Sequence, residues 1–554
     1  MNKKICWLFV LIVVIYLIGI QIDVMDMDAA QYASMSREML ERGNLLQVFD
    51  LGKDYLDKPP FIFWICSLSM RIFGISNFAF KLPSILFALL AIFSTYKFCR
   101  LYYSQSAATI SAIVLATSQA LFLITQDCRT DTILMGAVIF SIWQWAAWLR
   151  DKRWIHWFWG SVAIGVGMLT KGPVALMVPV LAIGSDLLLK REFKKIFHPA
   201  YLGTLILIAL ILLPMCIGLY QQFDLHPEKL VNGAHGVSGL KFFFWTQSFG
   251  RITGSSIWNN HAGFFFLMEN MMWEFLPWTI FFLAGLWLAM HQLVRKKFFL
   301  GSQEEGMSTG GFILTYLILA RSHYQLPHYI FVVFPLAAVI TSRAITGLFQ
   351  EQRWTTLKGW LQPLQYVILI SLFLGCLLLV FFCFPARNPM VPSLLILSFS
   401  FFIFLCFRPT AYPRVMVVSI FTILSLNIFL STYFYPHLLK YEMGSVVGRY
   451  VQSHQVPQNG FYTYRWSNQS RSLSFYSQRI VPELHRNDSL QKGWVLLTGE
   501  KGMKELQEKD FTFQVLTQGG DYPVSLLTLP FLNARTRAST LHHYFLLQLT
   551  GGPQ

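Results

Sequence analysis

Acidic and basic side chains alternate with Pro, Gly, His and Tyr in several short polar segments of the chain. These segments are Asp26-Met-Asp28, Asp57-Lys58-Pro59-Pro60, Asp127-Cys-Arg129-Thr-Asp131, Lys171-Gly-Pro173 and Arg321–Tyr329. A carboxylate against apolar surface can serve as a general base, and clustered cations can hold a phosphate and stabilise charge as a bond to it breaks. The residue types therefore suit group transfer from an anionic phosphate carrier to a hydroxyl or amine acceptor.

The composition indicates a membrane protein with many spans. Of 554 residues, 55% are hydrophobic and only 13% are charged, and the mean hydropathy is +0.49, which is too apolar for a large soluble protein. Much of the +16 net charge lies in short loops, so it does not indicate nucleic-acid binding, for which the chain has no motif. The eight cysteines form neither a disulfide framework nor a CxxC metal site.

About thirteen apolar runs are candidates for membrane-spanning helices, each of which needs ~20 residues. They are 5–22, 80–99, 106–124, 132–149, 155–170, 173–189, 201–220, 273–293, 309–320, 329–347, 364–384, 391–407 and 415–434. The first run also resembles a signal peptide, but no small-residue cleavage site follows it. We therefore interpret it as a retained span.

The loops between these runs fall into two chemical classes that alternate along the chain. Seven loops are basic, among them Lys3-Lys4 and Arg295–Lys297, and are cytoplasmic by the positive-inside rule. With the N-terminus inside, all seven basic clusters lie on the inner face and the polar segments lie outside. An odd number of spans also places residues 437–554 outside.

Each polar side chain has a structural interpretation beside the chemical one. Asp28 could cap the helix that follows it, and Lys58 could be a snorkelling lysine at the end of an apolar segment. Arg129 could simply pair with the acids beside it. Alternatively, Asp131 heads the fourth span and faces a cavity, because ionisable groups at membrane borders usually face protein or water.

Two outer segments are long enough to have structure of their own. Residues 23–79 contain a stretch with helical spacing, Asp28–Glu41, that could lie on the membrane surface. The same segment contains Phe61–Phe73, which is too short for a span and suits an interfacial or re-entrant helix. Residues 221–272 are rich in Gly, His and aromatic residues, which indicates a functional loop rather than disorder.

The tail alternates short β-like runs with a polar helical stretch, Lys501–Lys509. The β-like runs are Gly460–Tyr464, Trp494–Thr498, Phe511–Leu516 and Tyr544–Leu549. This pattern predicts a small α/β domain, with no nucleotide fingerprint or catalytic signature. We therefore expect a transmembrane domain over 1–436, with 23–79 and 221–272 forming its active-site region, followed by an extracytoplasmic domain over 437–554.

Seven motifs resemble those of a known family and occur in the family's order. They are Asp28–Leu40, Tyr55–Pro60, Phe73-Gly74, Lys81–Ser84, Arg129-Thr-Asp131, Leu169–Pro173 and Leu326–Tyr329. On these motifs the chain resembles the polyprenyl-phosphate-sugar-dependent transferases of the GT-C fold, which include the aminoarabinose lipid A transferases and the protein O-mannosyltransferases. The resemblance is dense over 20–190, sparser to about 345 and thin beyond. It implies an all-α polytopic membrane fold.

The resemblance also implies roles for individual residues. Asp28 matches the family's catalytic aspartate, and Asp131 resembles a second acidic residue of the active-site cavity. Lys58 matches the lysine that contacts the lipid phosphate. Asp57 stands where the aminoarabinose transferases have a glutamate that, with a loop histidine, can hold a divalent metal ion, and His261 is the candidate for that histidine.

One position departs from the family pattern. Asp28-Ala29 stands where relatives commonly have Asp-Glu. If that glutamate contributes to the reaction in relatives, Asp26 or Asp57 would have to substitute for it here, or the acceptor differs. Aspartate at position 57 also shortens the reach to any metal ion.

The expected function is glycosyl transfer, with inversion, from a polyprenyl-phosphate sugar to a lipid A-like glycolipid or a protein. The donor must be lipid-linked, because no nucleotide source lies outside the cytoplasm, and the site lies on the outer face of the cytoplasmic (inner) membrane. Asp28 would act as the general base. The predicted substrate-binding residues are Tyr55, Lys58, Arg129, Lys171, Arg251 and His328.

Two other classes of function remain as alternatives. A transporter or flippase of lipid-linked sugars would place ionisable residues near the bilayer midplane and often shows inverted repeats. Here the ionisable residues lie at outer span ends, and no such repeat is evident. A non-catalytic assembly protein would use the outer clusters as salt bridges between helices, and inactivity with every lipid-linked donor would favour it.

Overall fold

Helices form most of the structure, a computed structural model that describes residues 3–552 apart from 248–249, 251–259, 411, 467–469, 486–487 and 489. The α-helices before residue 442 are α1 (Lys3–Gly19), α2 (Asp28–Arg42), α3 (Phe61–Phe73), α4 (Asn77–Tyr102), α5 (Gln105–Ala116), α6 (Gln119–Gln126), α7 (Thr130–Asp151), α8 (Trp154–Lys171), α9 (Val174–Leu189), α10 (Phe193–Ile196), α11 (Ala200–Leu219), α12 (Gly239–Lys241), α13 (Phe266–Glu274), α14 (Thr279–Arg295), α15 (Met307–Leu319), α16 (Phe334–Ile345), α17 (Thr355–Leu378), α18 (Met390–Phe407), α19 (Arg414–Phe429) and α20 (Tyr435–Leu438). Shorter 3₁₀ or π-helical segments adjoin several of them, at Tyr220–Asp224, Phe242–Thr246, Pro327–Val333, Thr346–Gln350, Leu379–Cys383, Leu430–Phe434 and Leu439–Tyr441.

Every apolar run predicted as a span is helical over most of its length. The third run is divided between α5 and α6, which are bent by 49°, and the eighth falls mainly on α14. Seven helical stretches of the described chain are long and apolar enough to cross a membrane, and the bent pair would make an eighth. Helices α9, α14 and α15 are apolar but shorter, so thirteen spans stays a prediction.

The helices differ sharply in how much protein covers them. In the stretch Pro327–Gln350, which includes α16, 94% of the most apolar window is buried, and in α7 the share is 83%. In α18 only 11% is buried, although the helix is almost entirely apolar. A helix that exposes apolar side chains on nearly all sides suits a lipid environment rather than water. Helices α7 and α16 therefore form the centre of the bundle, and α17 and α18 form part of its rim.

Local sequence signals set the ends of the helices near the polar segments. The Ser76 side chain accepts a hydrogen bond from the Ala79 N–H and caps α4. Helix α2 ends at Gly43, whose φ of 65° is the left-handed conformation that glycine adopts without strain. Pro60 lacks an N–H and has φ near −80°, so α3 begins directly after it.

The segment between α1 and α4 is more enclosed than the sequence predicts. It holds α2, α3 and a two-stranded antiparallel hairpin, β1 (Phe49–Asp50) with β2 (Lys53–Asp54). Helix α2 is buried along most of its length, including Arg37 and Glu38 at 0% and 2% exposed. The polar side chains of this stretch therefore face other parts of the protein, and its place at the membrane surface stays a prediction.

The C-terminal region, residues 442–552, combines a sheet with short helices. Its helices are α21 (Met443–Ser453), α22 (Arg471–Tyr476), α23 (Glu500–Glu508) and α24 (Leu529–Leu532), with a 3₁₀ turn at Arg537–Thr540. Its strands are β3 (Phe461–Tyr464), β4 (Glu483–Leu484), β5 (Val495–Gly499), β6 (Thr512–Asp521) and β7 (His542–Gly551). The strand order is β4-β3-β5-β7-β6, parallel from β4 to β5 and antiparallel from β5 to β6. The four predicted strands and the predicted helix are confirmed. The two-residue strand β4 was not predicted.

Candidate active site

Arg129 lies at the centre of the polar cluster and joins acids from two parts of the chain. Its Nη1 donates to Asp28 Oδ2 at 2.5 Å, and its Nε donates to Asp127 Oδ2 at 2.6 Å. Burial lowers the pKa of the Arg129 guanidinium, but the neighbouring Asp127 and Asp28 carboxylates outweigh burial and raise the pKa above its ordinary value. Arg129 is therefore a fixed cation that holds the first residue of α2 against the start of α7.

A second set of contacts continues from Arg129 into the helix bundle. The Nδ1 of His328 lies 3.4 Å from Arg129 Nη1, and its Nε2 lies 3.7 Å from Asp131 Oδ2. Lys171 Nζ is 2.5 Å from the other oxygen of Asp131, Oδ1, and 4.2 Å from the centroid of the Tyr329 ring. The structure thus brings together predicted residues that are up to 300 positions apart in the chain. They form one network, from Asp28 to Lys171.

The Tyr55–Pro60 motif forms the side of this cluster nearest α3. Lys58 Nζ donates to Asp57 Oδ2 at 2.8 Å, and the Lys58 side chain is 13% exposed. Burial, together with the carboxylates of Asp57, Asp50 and Asp28, raises the pKa of the Tyr55 hydroxyl well above its ordinary value. Tyr55 therefore keeps its proton and can act as a hydrogen-bond donor.

A narrow cleft opens beside Lys58 and Asp57. Most of its lining residues come from the segment between positions 46 and 60, with apolar side chains added by α11 and by Phe242-Phe243, and the Lys58–Asp57 ion pair lies in the same wall. The lining residues are Leu46, Val48, Tyr55, Leu56, Asp57, Lys58, Pro59, Pro60, Met215, Leu219, Gln222, Phe242, Phe243 and Gln247. The cleft thus places an apolar wall beside the Lys58–Asp57 ion pair and has a free volume of about 20 Å³.

Asp57 and His261 are the residues predicted to hold a metal ion. Asp57 Oδ2 accepts from Lys58, and Asp57 Oδ1 accepts from the Gln247 side chain at 3.2 Å. His261 is exposed to solvent. Within the described ranges, no group of three or more His, Cys, Asp or Glu side chains is arranged to hold an ion. The metal stays a prediction, and we derive no catalytic step through it.

Three further outcomes concern residues that the sequence singled out or missed. Arg251, a predicted phosphate ligand, lies outside the described residues. Asp26 does not substitute for the family's missing glutamate, because its carboxylate bonds to Ser470 and Ser472 in the C-terminal region. Tyr32 was missed: it is 3% exposed, and the charges of Asp28 and Arg129 both act on its hydroxyl. Its place on α2, one turn after Asp28, could have identified it.

Solved structures of membrane-embedded transferases share this architecture. The chain superposes over the full length of both chains on the crystal structure of ArnT from Cupriavidus metallidurans bound to undecaprenyl phosphate, with a TM-score of 0.74 and 17% identity. The apo state of the same protein gives 0.69 with 16% identity, covering 100% of this chain and 99% of that one. The Archaeoglobus fulgidus oligosaccharyltransferase gives 0.50 with 13% identity, over 87% of this chain and 65% of that one. The chain therefore has the GT-C membrane fold.

Sequence comparisons match between about a third and nine tenths of the chain, depending on the relative. Residues 57–217 match the model of the dolichyl-phosphate-mannose-protein mannosyltransferase family. The undecaprenyl phosphate-alpha-4-amino-4-deoxy-L-arabinose arabinosyl transferase of Erwinia tasmaniensis is 29% identical over 48% of this chain and 46% of that protein, so the chain spans about half the length of this relative. An uncharacterised protein of Aquifex aeolicus is 23% identical over 90% of this chain and 91% of that protein. The resemblance to GT-C polyprenyl-phosphate-sugar transferases, predicted from the motifs, is confirmed.

Proposed function

We propose that the protein is a glycosyltransferase that moves a sugar from a polyprenyl-phosphate carrier to a glycolipid or protein acceptor. One observation carries the proposal: in a GT-C fold, Arg129, Lys171 and His328 converge around the carboxylates of Asp28 and Asp131, and the Lys58–Asp57 pair lies close enough for the charge of Lys58 to act on His328. The relatives named undecaprenyl phosphate-aminoarabinose arabinosyl transferases support the same class of donor.

The cations would serve the phosphate of the donor. In the proposed complex the apolar cleft widens to take the start of the polyprenyl chain, and the phosphate reaches Lys58 and then Arg129. As the bond between the anomeric carbon and the phosphate oxygen breaks, the electron pair leaves with that oxygen. The positive charges stabilise the phosphate as this negative charge develops. Asp131 orients Lys171 and His328, because its two oxygens face these two side chains.

Asp28 would take the proton from the acceptor. Arg129 engages its Oδ2 and leaves Oδ1 for the incoming hydroxyl or amine, and the Asp28 side chain is 36% exposed, so an acceptor can reach it. A nucleophile activated there attacks the anomeric carbon on the face opposite the phosphate. That direction of attack inverts the anomeric centre.

We place the site and the C-terminal region on the extracytoplasmic side of the inner membrane, with thirteen spans in the chain before the C-terminal region. Two contacts support this orientation. Asn77, at the start of α4, donates to Asp23 on the side of the polar cluster. Tyr103, just after the end of α4, donates to Glu305, which lies 4.0 Å from Arg343 in the last turn of α16. Helix α4 therefore runs from the site to a basic face, as the positive-inside rule requires.

The first prediction tests this function directly. Mass spectrometry of outer glycolipids and glycoproteins from a strain that lacks the protein should show one carrier lighter by one sugar. The wild-type gene should restore that mass, and Asp28→Asn, which removes the proposed base, should not, although the variant is present in the membrane at the wild-type level. Restoration by Asp28→Asn would instead favour a transporter, and unchanged glycans in the deletion strain would contradict the proposal.

A further inference from the structure

The C-terminal region binds the loop that precedes the proposed base through the side chain and the backbone N–H of Asp26. Asp26 Oδ2 accepts from Ser470 Oγ at 2.8 Å and from Ser472 Oγ at 3.0 Å, and Oδ1 accepts from the Ser472 N–H at 3.0 Å. The Asp26 N–H donates to Glu442 Oε1 at 2.5 Å. These partners lie more than 400 residues further along the chain. Asp26 is thus held at two separate points.

A second layer of contacts fixes the body of α2. Ser474 of α22 bonds to Ser34 Oγ at 3.0 Å and accepts from Arg37 Nη2 at 3.0 Å, and Arg37 is fully buried. Arg471, also on α22, pairs with Asp50 at 2.8 Å in the hairpin that follows α2. Buried polar contacts at several points along a helix leave it little freedom to rotate or slide. The C-terminal region therefore sets the direction of α2 as well as its starting point.

Gly444 shows how closely α21 approaches the same turn. A Cβ atom at this position would overlap both Ser472 Oγ and Ser470 Oγ. Any side chain at position 444 would push the serine turn away from Asp26 or force α21 to move. Glycine is thus needed at position 444 for the close approach of α21 to the serine turn, and not for the formation of α21 itself.

Glu442 is a buried partner in this contact. Burial, followed by the nearby Asp26 carboxylate, raises the pKa of Glu442 well above its ordinary value. Its Oε2 is buried and has no hydrogen-bond partner in the described part of the chain. Glu442 contributes to the contact through Oε1, which accepts a hydrogen bond from the Asp26 N–H. The amide oxygen of a glutamine side chain can accept the same hydrogen bond.

We propose that the C-terminal region positions the catalytic loop: Glu442, Ser470 and Ser472 hold Asp26 so that α2 begins with Asp28 opposite Arg129. This inference rests on the proposed function. The three residues touch neither the donor nor the acceptor in the proposed complex, so they are positioning residues. The proposal assigns the C-terminal region a task in the reaction, although its sequence has no catalytic signature.

The second prediction tests this role with the full-length protein in lipid nanodiscs. Ser470→Ala with Ser472→Ala should lower kcat about 10- to 100-fold, as expected when a catalytic group is displaced by about 1 Å. The KM for the donor identified by mass spectrometry should change less than about 2-fold, because Lys58 and Lys171 are held by other elements. Ser453→Ala, an exposed serine of the same region, is the matched control and should keep wild-type kcat.

A second pair of variants separates positioning from general damage to the fold. Glu442→Ala should lose kcat to a similar extent, and Glu442→Gln should recover it, because only Gln retains the acceptor for the Asp26 N–H. Binding of undecaprenyl phosphate, measured by quenching of Trp fluorescence, should be unchanged in all of these variants.

The results also separate this inference from the proposed function. If Asp28→Asn is inactive while the serine double variant keeps wild-type kcat, the positioning role is wrong and the proposed base stands. If the serine variants lose undecaprenyl phosphate binding together with kcat, or if Glu442→Gln is no more active than Glu442→Ala, the contact is merely structural. Full activity of Asp28→Asn would instead overturn the proposed base.

Discussion

Arg129 connects the two halves of the candidate site through a single guanidinium group. Its Nη1 and Nε hold Asp28 and Asp127, and Nη1 also faces His328 Nδ1. Only a planar fork with several donors can meet three partners in different directions, and a lysine ammonium at the end of a flexible stem cannot reproduce this arrangement. At the scale of single residues, Arg129 therefore orients the Asp28 carboxylate.

The third prediction concerns the buried pair formed by Lys171 and Asp131. Lys171→Met leaves the Asp131 carboxylate, whose side chain is 3% exposed, without its partner at 2.5 Å. Loss of one partner of a buried pair costs about 3–5 kcal/mol, and we expect a clear drop in the thermal unfolding midpoint in detergent. Adding Asp131→Asn to Lys171→Met removes the uncompensated charge. The unfolding midpoint of this double variant should therefore lie between the midpoints of Lys171→Met and the wild-type protein. A double variant no more stable than the single one would contradict this account.

At the scale of elements, short helices and loops carry the site, and the spans hold them in place. Asp28 begins α2, Lys58 lies before α3, and Arg129 lies in the turn between α6 and α7. His328 belongs to the 3₁₀ segment Pro327–Val333, and Lys171 is the last residue of α8. Ends of helices from distant parts of the sequence meet in one place because the bundle brings their termini to one face.

The contact between the loop before α2 and the C-terminal region should respond to pH. Burial raises the pKa values of Asp26, Glu442 and Asp521 above their ordinary values, and the nearby Asp26 carboxylate further raises the pKa of both Glu442 and Asp521. Arg471 pairs with Asp50 and keeps its charge. A carboxyl group with a raised pKa in the folded state binds its proton more tightly there than in the unfolded state. Its stabilising effect is complete below the ordinary carboxyl pKa and is lost as pH rises through the raised value.

The fourth prediction follows from this direction of the pH dependence of stability. The thermal unfolding midpoint of the wild-type protein should fall as the pH rises from the ordinary carboxyl range toward neutrality. Glu442→Gln cannot ionise, so its midpoint should fall less over the same pH range. Thermal unfolding of both proteins in detergent at a series of pH values measures the difference. Parallel curves would show that Glu442 does not titrate in the folded protein.

At the scale of the whole molecule, two chemically different ends enclose an apolar middle. The polar cluster and the C-terminal region share one end, because Asp26 is bonded to Ser470 and Ser472. The other end carries Arg343 and the basic loop after α14. Helices such as α18 expose apolar side chains between the two ends. This arrangement fixes the orientation once either end is assigned to a side of the membrane.

The fifth prediction tests that orientation with two matched cysteines. Ser453 lies in the C-terminal region and Ser302 in the basic loop, and both are exposed. In a Cys6→Ser background, which removes an exposed native thiol, Ser453→Cys should react with a membrane-impermeant maleimide in sealed right-side-out vesicles. Ser302→Cys should react only after permeabilisation. The reverse pattern, or labelling of both, would contradict the proposed topology.

Much of the site could be predicted because its residues lie at the ends of apolar runs. The length of a span fixes the depth of its terminal residues, so Lys58, Arg129, Lys171 and His328 had to lie near one face. Their pairing could not be predicted. The sequence suggested that Arg129 pairs with its own neighbours, whereas the structure adds Asp28, which lies 101 positions away.

The position of Asp26 shows the limit of sequence reasoning more clearly. It was one of two candidates to substitute for the glutamate that relatives commonly have, yet its side chain bonds to Ser470 and Ser472. The partner lies in the segment where the resemblance to known transferases is thinnest. A contact of this kind leaves no local pattern, because neither side chain is apolar, periodic or close in sequence to the other.

The sequence by itself determined the class of environment, the positions of the helices and the face on which charged residues gather. Those properties follow from apolar run length and from the cost of moving charge into a bilayer, and both can be read locally. Only the tertiary structure decided which cation meets which acid and that the C-terminal region holds the loop before α2. A helix that is apolar on most faces has no polar stripe in its sequence to show which face packs against the protein. The packing between distant segments therefore sets these contacts.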